Sequence, residues 1–479
     1  MPGAETWSRP AMPTWAVAVT DPVVAVVGAG PAGLAASLAA AERGVQVVLL
    51  DNAAAPGGQI LRQSAIAGQQ AHRPAILRRL AAHPRITLRS RTEVVHARVS
   101  TSGVDLLVRA EEQLRTITVG AVVLAPGASE LALPFPGWDL PGVLTPGAAQ
   151  AMLKAHAVRA GSRVVVAGTG PFLWPVAAGL VTAGAQVVAL VEAASFPAVV
   201  RRAGPLVSHG RIVAQTARYA AILARAGVPV LFGRAVVRAE GDDRLARVVV
   251  GRTDQPGSAP QHAAIEADAA CVGWGFVPSV ELARSLGCAE RSDVTRSYAV
   301  VYVDENQATS VASVFAAGEI TGVGGAALAA AEGEIAGAAA ARSRGASGGM
   351  GLRQARRTRR RARRAATALD RAFPLPARWA DRLEPETIVC RCEEVTWGEI
   401  AAVVDDGVVT ARAVKGQVRC GMGWCQGRIC GVAVQQAIAA RAGRPPAEVG
   451  DLGGRPFAVP VRAGELADLA EPARDETRA

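Results

Sequence analysis

Of the seven cysteines in this 479-residue chain, five crowd its last quarter. Cys390 and Cys392 stand in IVCRCEEVTWGEI, and Cys420, Cys425 and Cys430 follow in RCGMGWCQGRIC with four residues between neighbours. In an extended segment residues i and i+2 face the same way, so the thiolates of Cys390 and Cys392 can grip one iron. After 32 further residues comes Cys425, which pairs by spacing with either Cys420 or Cys430. Structural zinc normally uses short C-x2-4-C knuckles at both ends, which this pattern lacks. A disulfide framework belongs to secreted chains, and the N-terminal stretch carries no secretion signal. An iron-sulfur cluster is therefore expected. The amides at the start of CGVAVQQAIAARAG, with Lys415, Arg419 and Arg428 near in sequence, suit an anionic cluster.

Elements must position those thiols and whatever supplies them with electrons. Thr396 and Glu399 form a T-x-x-E capping box that starts a helix through Val404. At the other end of the chain, PVVAVVGAGPAG places a β-branched run before Gly28, Ala29, Gly30, Pro31 and Gly33, and LAASLAAAERG reads as a helix. This is strand, G-x-G-x-x-G, helix, with Asp51 closing the next strand 23 residues after Gly28. The glycines permit a tight turn, close backbone approach to a pyrophosphate and close helix packing, and the carboxylate suits a ribose. The PGGQI turn, with Gly58 and Gln59, follows soon after.

A second strand and turn, VVVAGTGPFL, repeats the pattern with Glu192 at the ribose position, but Leu173 replaces the third glycine and Pro175 removes an amide. This defect argues against NAD(P) there. Cys271 and Cys288 form no C-x-x-C pair and read as buried structural thiols, and no histidine sits in a motif suggesting a base. No catalytic residue is assigned.

The formal charge is +11, yet eight arginines fall between Arg353 and Arg364, and without them +3 remains. Ala355, Thr358, Ala362, Ala366, Leu369 and Phe373 recur at helical spacing, which predicts a linker helix with a small apolar face and arginines on its solvated side. Neither a nucleic-acid partner nor membrane insertion is expected, and the location is read as cytoplasmic, with any membrane association made through a partner.

Far downstream, Thr309, Ala316, Gly318 and Glu319 form T-x6-A-x-G-E. Together with the first fingerprint, VVLAPGA (which contains Gly127) and VGWGFVPS, this resembles the two-dinucleotide-binding-domain flavoproteins of the glutathione and thioredoxin reductase type. PFPGWDLPGVLTPGAAQAMLK, GWGFVPSVELARSLGC and GMGWCQGRICG extend the resemblance over nearly the whole chain to the FAD-containing α subunits of opine oxidases, hydrogen cyanide synthase and hydroxyproline or proline dehydrogenases. That resemblance implies an α/β fold with two Rossmann-like domains and a small helical 2Fe-2S domain of the bacterioferritin-associated ferredoxin kind. It implies FAD at Gly28, Ala29, Gly30, Pro31, Gly33, Asp51, Gly58, Gln59, Gly127, Gly318 and Glu319. It chooses Cys390, Cys392, Cys425 and Cys430 as cluster ligands, leaving Cys420 as a spare thiol and Trp424 packed over the cluster. The same family picture includes a flavin-containing β subunit for amine or amino-acid oxidation, an FMN at a subunit boundary and a small third subunit. The rival reading is a self-contained NAD(P)H-dependent FAD reductase feeding an iron-sulfur domain.

The expected layout is a lead at 1-20, FAD-binding segments at 21-130 and 271-342 around an inserted nucleotide-binding domain at 131-270, an Arg-rich linker at 343-385, the cluster domain at 386-450 and a tail at 451-479.

Overall fold

The computed structural model describes residues 23-62, 74-202, 210-254, 263-292, 298-348 and 351-470, so the lead expected at 1-20 lies outside the described residues. Strand β1 (Val23–Val27) is buried throughout and runs through the glycine turn into α1 (Pro31–Ala41). β2 (Gln46–Leu50), β3 (Ile86–Arg89) and β4 (Ala121–Leu124) follow. The second half brings β5 (Val143–Leu144), β6 (Arg163–Gly168), α2 (Leu173–Thr182), β7 (Gln186–Glu192), β8 (Val230–Phe232) and β9 (Ala269–Gly273). The chain then returns as β10 (Val314–Ala316) and α3 (Ala326–Ser343).

Two parallel five-stranded sheets result, in the orders β10-β4-β1-β2-β3 and β8-β7-β6-β9-β5. Apolar runs such as VVAVV and AVVL suit strands covered on both faces. Each half also carries a three-stranded antiparallel sheet, one formed by Thr92–Ser100, Gly103–Ala110 and Gln113–Val119. Helices α1 and α3 touch backbone to backbone: a Cβ at Gly333 or Gly337 would fall 2.0 or 2.1 Å from the carbonyl oxygen of Ala32 or Ala36.

Helix α4 (Arg353–Ala372) is the expected linker helix. Ala355, Ala366 and Phe373 are buried and Thr358, Ala362 and Leu369 half-buried, but two arginines depart from the expected solvated side. Arg363 and Arg359 turn inward to Glu332 of α3, with N to O distances of 2.5 and 3.7 Å, and Glu332 has no exposed side-chain surface. A buried carboxylate demands a countercharge, and the arginine run supplies it.

The cluster domain comprises β11 (Ile388–Cys390), α5 (Trp397–Asp405), α6 (Ala411–Val418) and α7 (Gly431–Ala442). The Thr396 and Glu399 capping box is present at α5. This domain has no separate core: Ile400, Ala433 and Cys430 belong to the same buried cluster as Trp138, Val165 and Val248 of the second nucleotide half. The Trp138 indole donates to the Ile388 carbonyl at 2.6 Å, and the Arg391 guanidinium lies 4.6 Å over its ring while donating to the Asp139 carbonyl at 2.9 Å. The PFPGWD stretch is thus the bracket that holds β11. Among the described residues no helix is long and apolar enough to cross a membrane.

Candidate functional site

The first nucleotide crevice opens at the carboxyl ends of β1 and β4. Gly28 has φ +98°, and a Cβ there would meet the Ala125 carbonyl oxygen at 2.2 Å. A Cβ at Gly33 would lie 1.7 Å from the Gly28 carbonyl oxygen, so the packing of α1 on its own turn forbids a side chain. Among the described residues nothing lies within 4 Å of a Cβ built at Gly30 or Gly127, so a ligand's phosphates and ring system can approach main chain there. Gly58 packs against Gly30, its would-be Cβ 2.9 Å from that Cα, and the Gly57 amide donates to the Ala29 carbonyl at 2.8 Å. Gln59 lies outside this contact, its side chain accepting from Arg62 at 2.7 Å.

Asp51 accepts one amide on each oxygen, from Ala29 and from Ala53. Burial pushes its carboxyl above the usual range, and those two amides pull it partly back. Each oxygen keeps a lone pair for a ribose hydroxyl. Pro31 is the first helical residue, where a missing N–H costs nothing.

At the late motif Gly318 (φ +83°) presses on Ala32, while its amide is taken by the Glu332 carboxylate at 3.0 Å. Glu319 points elsewhere: its carboxylate accepts the amides of Gly324 and Gly325 at 3.1 and 2.9 Å and is held above the usual range by burial. Glu319 therefore shapes the turn into α3. Glu332 and Arg363, both missed in the sequence, hold this motif instead; the signal was a pair of carboxylates, Glu332 and Glu334, inside an otherwise apolar AALAAAEGEIAG helix, of which Glu332 is the wholly buried one.

The second crevice is built differently. Glu192, wholly buried, accepts from the Gly170 amide at 3.0 Å, the Thr169 hydroxyl at 3.0 Å and the Ala194 amide at 2.9 Å. The end of α4 lies across it: Ala372 and Phe373 pack on Ala194, and the Pro374 carbonyl stands 3.5 Å from the Thr169 hydroxyl. In open α/β sheets ligands enter at this edge.

At the cluster end, the sulfurs of Cys390, Cys420 and Cys430 lie within 4.8 Å of one another, all buried. Cys390 is the acceptor of this group: the thiols of Cys420 and Cys430, and then the Gly421 and Glu393 amides, hold it well below the usual thiol range. Its sulfur is 3.4 Å from the Gly421 nitrogen. The Cys392 and Cys425 side chains meet each other, and burial pushes the Cys392 thiol up. Gly423 makes that meeting feasible, since a Cβ there would fall 2.3 Å from the Cβ of Cys392. Five thiols on one strand and the turn that follows it, one loop and one helix start suit a thiolate-bound metal cluster and crowd more sulfur together than apolar packing explains.

Of the expected cations, Arg428 donates to the Cys425 carbonyl at 3.1 Å, whereas Arg419 pairs with Glu393 at 3.0 Å. Burial first, and then Arg455 and Arg412, push the Lys415 ammonium down. The tail contributes what the sequence did not suggest. Leu452 packs against Gly421 and Gly427, Arg455 donates to the Gly421 carbonyl, and Arg428 donates to that of Ala458. Trp424 does not pack over the cluster; it is 79% exposed, beside the exposed Met422 and Ile429. Cys271 and Cys288 are buried away from this site, and burial pushes the Cys271 thiol up to about 12.

Comparison with known proteins fits this geometry. Residues 22-345 match the pyridine nucleotide-disulphide oxidoreductases and residues 388-440 match the BFD-like [2Fe-2S] binding domain. The class is thus a flavin-dependent oxidoreductase that carries a 2Fe-2S binding domain. An opine oxidase subunit from Agrobacterium tumefaciens (strain Ach5) is 31% identical over 94% of this chain and 92% of its own. Hydrogen cyanide synthase subunit HcnB of Pseudomonas aeruginosa is 32% identical over 85% of this chain and 90% of its own. The chain belongs to the family of these two subunits. The solved L-proline dehydrogenase from P. horikoshii has the same fold, with a TM-score of 0.66 at 20% identity over 93% of this chain and 79% of that one.

Proposed function

We propose that this chain is the electron-transferring α subunit of a heteromeric oxidase or dehydrogenase for an amine or amino acid of the opine, glycine or hydroxyproline type. FAD lies in the first crevice and a 2Fe-2S cluster in the C-terminal domain. The observation that carries the reading is the pairing of an open first crevice with a covered second one, beside a converging set of thiols. When bound, the flavin takes electrons in pairs and the cluster passes them singly. The main chain at Gly28, Gly30 and Gly33 receives the pyrophosphate at the start of α1, Asp51 accepts from the ribose, and Gly127 leaves room for the ring system. Cys390, Cys392, Cys425 and Cys430 hold the irons, and Arg428 and Arg455 offset the charge of the thiolates.

Glu192 spends its carboxylate within the fold, and Phe373 and Pro374 lie where a nicotinamide dinucleotide enters, which supports electron entry from a partner protein. The subunit designations of the opine oxidase and HcnB relatives support such a partner. The exposed Met422, Trp424 and Ile429 are suited to meeting it. An FMN at that boundary and a small third subunit belong to the same proposal.

Anaerobic purification tests it. The expected result is one FAD with two irons and two sulfides per chain, and no bleaching of the flavin by NADH without a partner. Rapid bleaching would favour the self-contained NAD(P)H reductase.

A further inference from the structure

Cys420 is the thiol to which the four-ligand reading gives no task. It is fully buried. Its place is built rather than incidental: α6 ends at Arg419 in the left-handed region (φ 61°), which turns the chain back under the loop. The adjoining Gly421 then directs its amide at the Cys390 sulfur. A structural cysteine behaves as a small apolar group. Cys420 instead faces two sulfurs, within 4.8 Å of both Cys390 and Cys430.

A two-iron cluster takes two protein ligands on each iron. Cys392, half-buried, and the buried Cys425 stand outside that trio and form a second sulfur pair, with Gly423 packed on the Cys392 Cβ. Three thiols therefore converge on the inner position, where two are needed. Resting on the cluster reading above, we propose that any two of Cys390, Cys420 and Cys430 serve the inner iron, so that Cys420 is a reserve ligand. The exchange balances: one iron-sulfur bond forms at Cys420 as another breaks, the incoming thiol gives up its proton, the outgoing thiolate takes one, and no electron moves.

Full-length Cys425→Ser, Cys430→Ser, Cys390→Ser and Cys420→Ser/Cys430→Ser proteins test this, with iron and sulfide measured per flavin and the reduced cluster followed by electron paramagnetic resonance and visible circular dichroism. Cys425→Ser is expected to lose iron by more than about tenfold, since the outer pair has no reserve. Cys430→Ser and Cys390→Ser should each keep iron within about twofold of the parent, with altered g values from the new ligand set. The double variant should be as empty as Cys425→Ser. Flavin content reports folding, and the two single inner variants stand in for each other if one fails to fold. Empty, flavin-replete inner variants would overturn the proposal, as would a double variant that keeps its iron through serine. A parent protein without iron and sulfide, or a Cys425→Ser protein that keeps both, would instead sink the cluster reading itself.

Discussion

The two nucleotide folds of this chain begin alike and end differently. In the first, α1 starts three residues after Gly28, at Pro31; in the second, α2 starts five residues after Gly168, at Leu173. Gly33 sits against the carbonyl of its own turn, whereas Leu173 is a core residue of the second half, only 1% exposed. The carboxylates diverge in the same sense. Asp51 holds two amides and keeps lone pairs to offer, while Glu192 is enclosed by two amides and a hydroxyl. A glycine fingerprint records how closely a ligand and a helix must approach main chain. In the second fold the turn is longer and its space goes to packing.

The most damaging test of this contrast is Gly33→Ala. Its Cβ meets main chain that cannot yield without moving α1, so the purified protein is expected to contain no flavin, read as absorbance after denaturation. A flavin-replete variant would break the assignment of the first crevice. Leu173→Gly sharpens the other side: it restores the glycine pattern but removes core volume, at a cost of about 3 kcal/mol in chemical unfolding. NADH should still leave its flavin oxidised, because Glu192 and the Phe373 and Pro374 segment are unchanged.

The smallest effect concerns pH. Burial raises the Asp51 carboxyl above its ordinary value, so the folded protein binds the proton more tightly than the unfolded chain. The associated stability is present below the ordinary carboxylate value and is lost as pH rises through the folded one. Asp51→Asn cannot ionise. Its melting temperature relative to the parent should therefore rise as pH climbs above the ordinary aspartate value of about 4, and a constant difference would show that the carboxyl is not held up.

Much of this was legible in the sequence because the relevant residues are neighbours along the chain. The fingerprint from Gly28 to Gly33, the strand that stops one residue before Asp51 and the capping box at Thr396 each carry their geometry in a few positions. The cysteines were legible by type but not by grouping. That Cys420 joins Cys390 and Cys430 while Cys392 joins Cys425 depends on the left-handed turn at Arg419, which no spacing encodes. Glu332 and Arg363 were hidden because an arginine run reads as solvated until a buried carboxylate is found facing it. Pro374 beside Thr169 joins positions 205 residues apart, and local pattern contains nothing of it.

The core that Trp138, Val165 and Val248 share with Ile400, Ala433 and Cys430 has a mechanical consequence. A redox domain on a loose tether delivers electrons at the pace of its own swinging. Here the second nucleotide fold acts as a chassis: β11 is bolted to it by the Trp138 indole and the Arg391 guanidinium, so the separation between the two redox ends is set by packed side chains. On the proposed function, moving that chassis by the width of one side chain would retune the electron path without touching a single ligand.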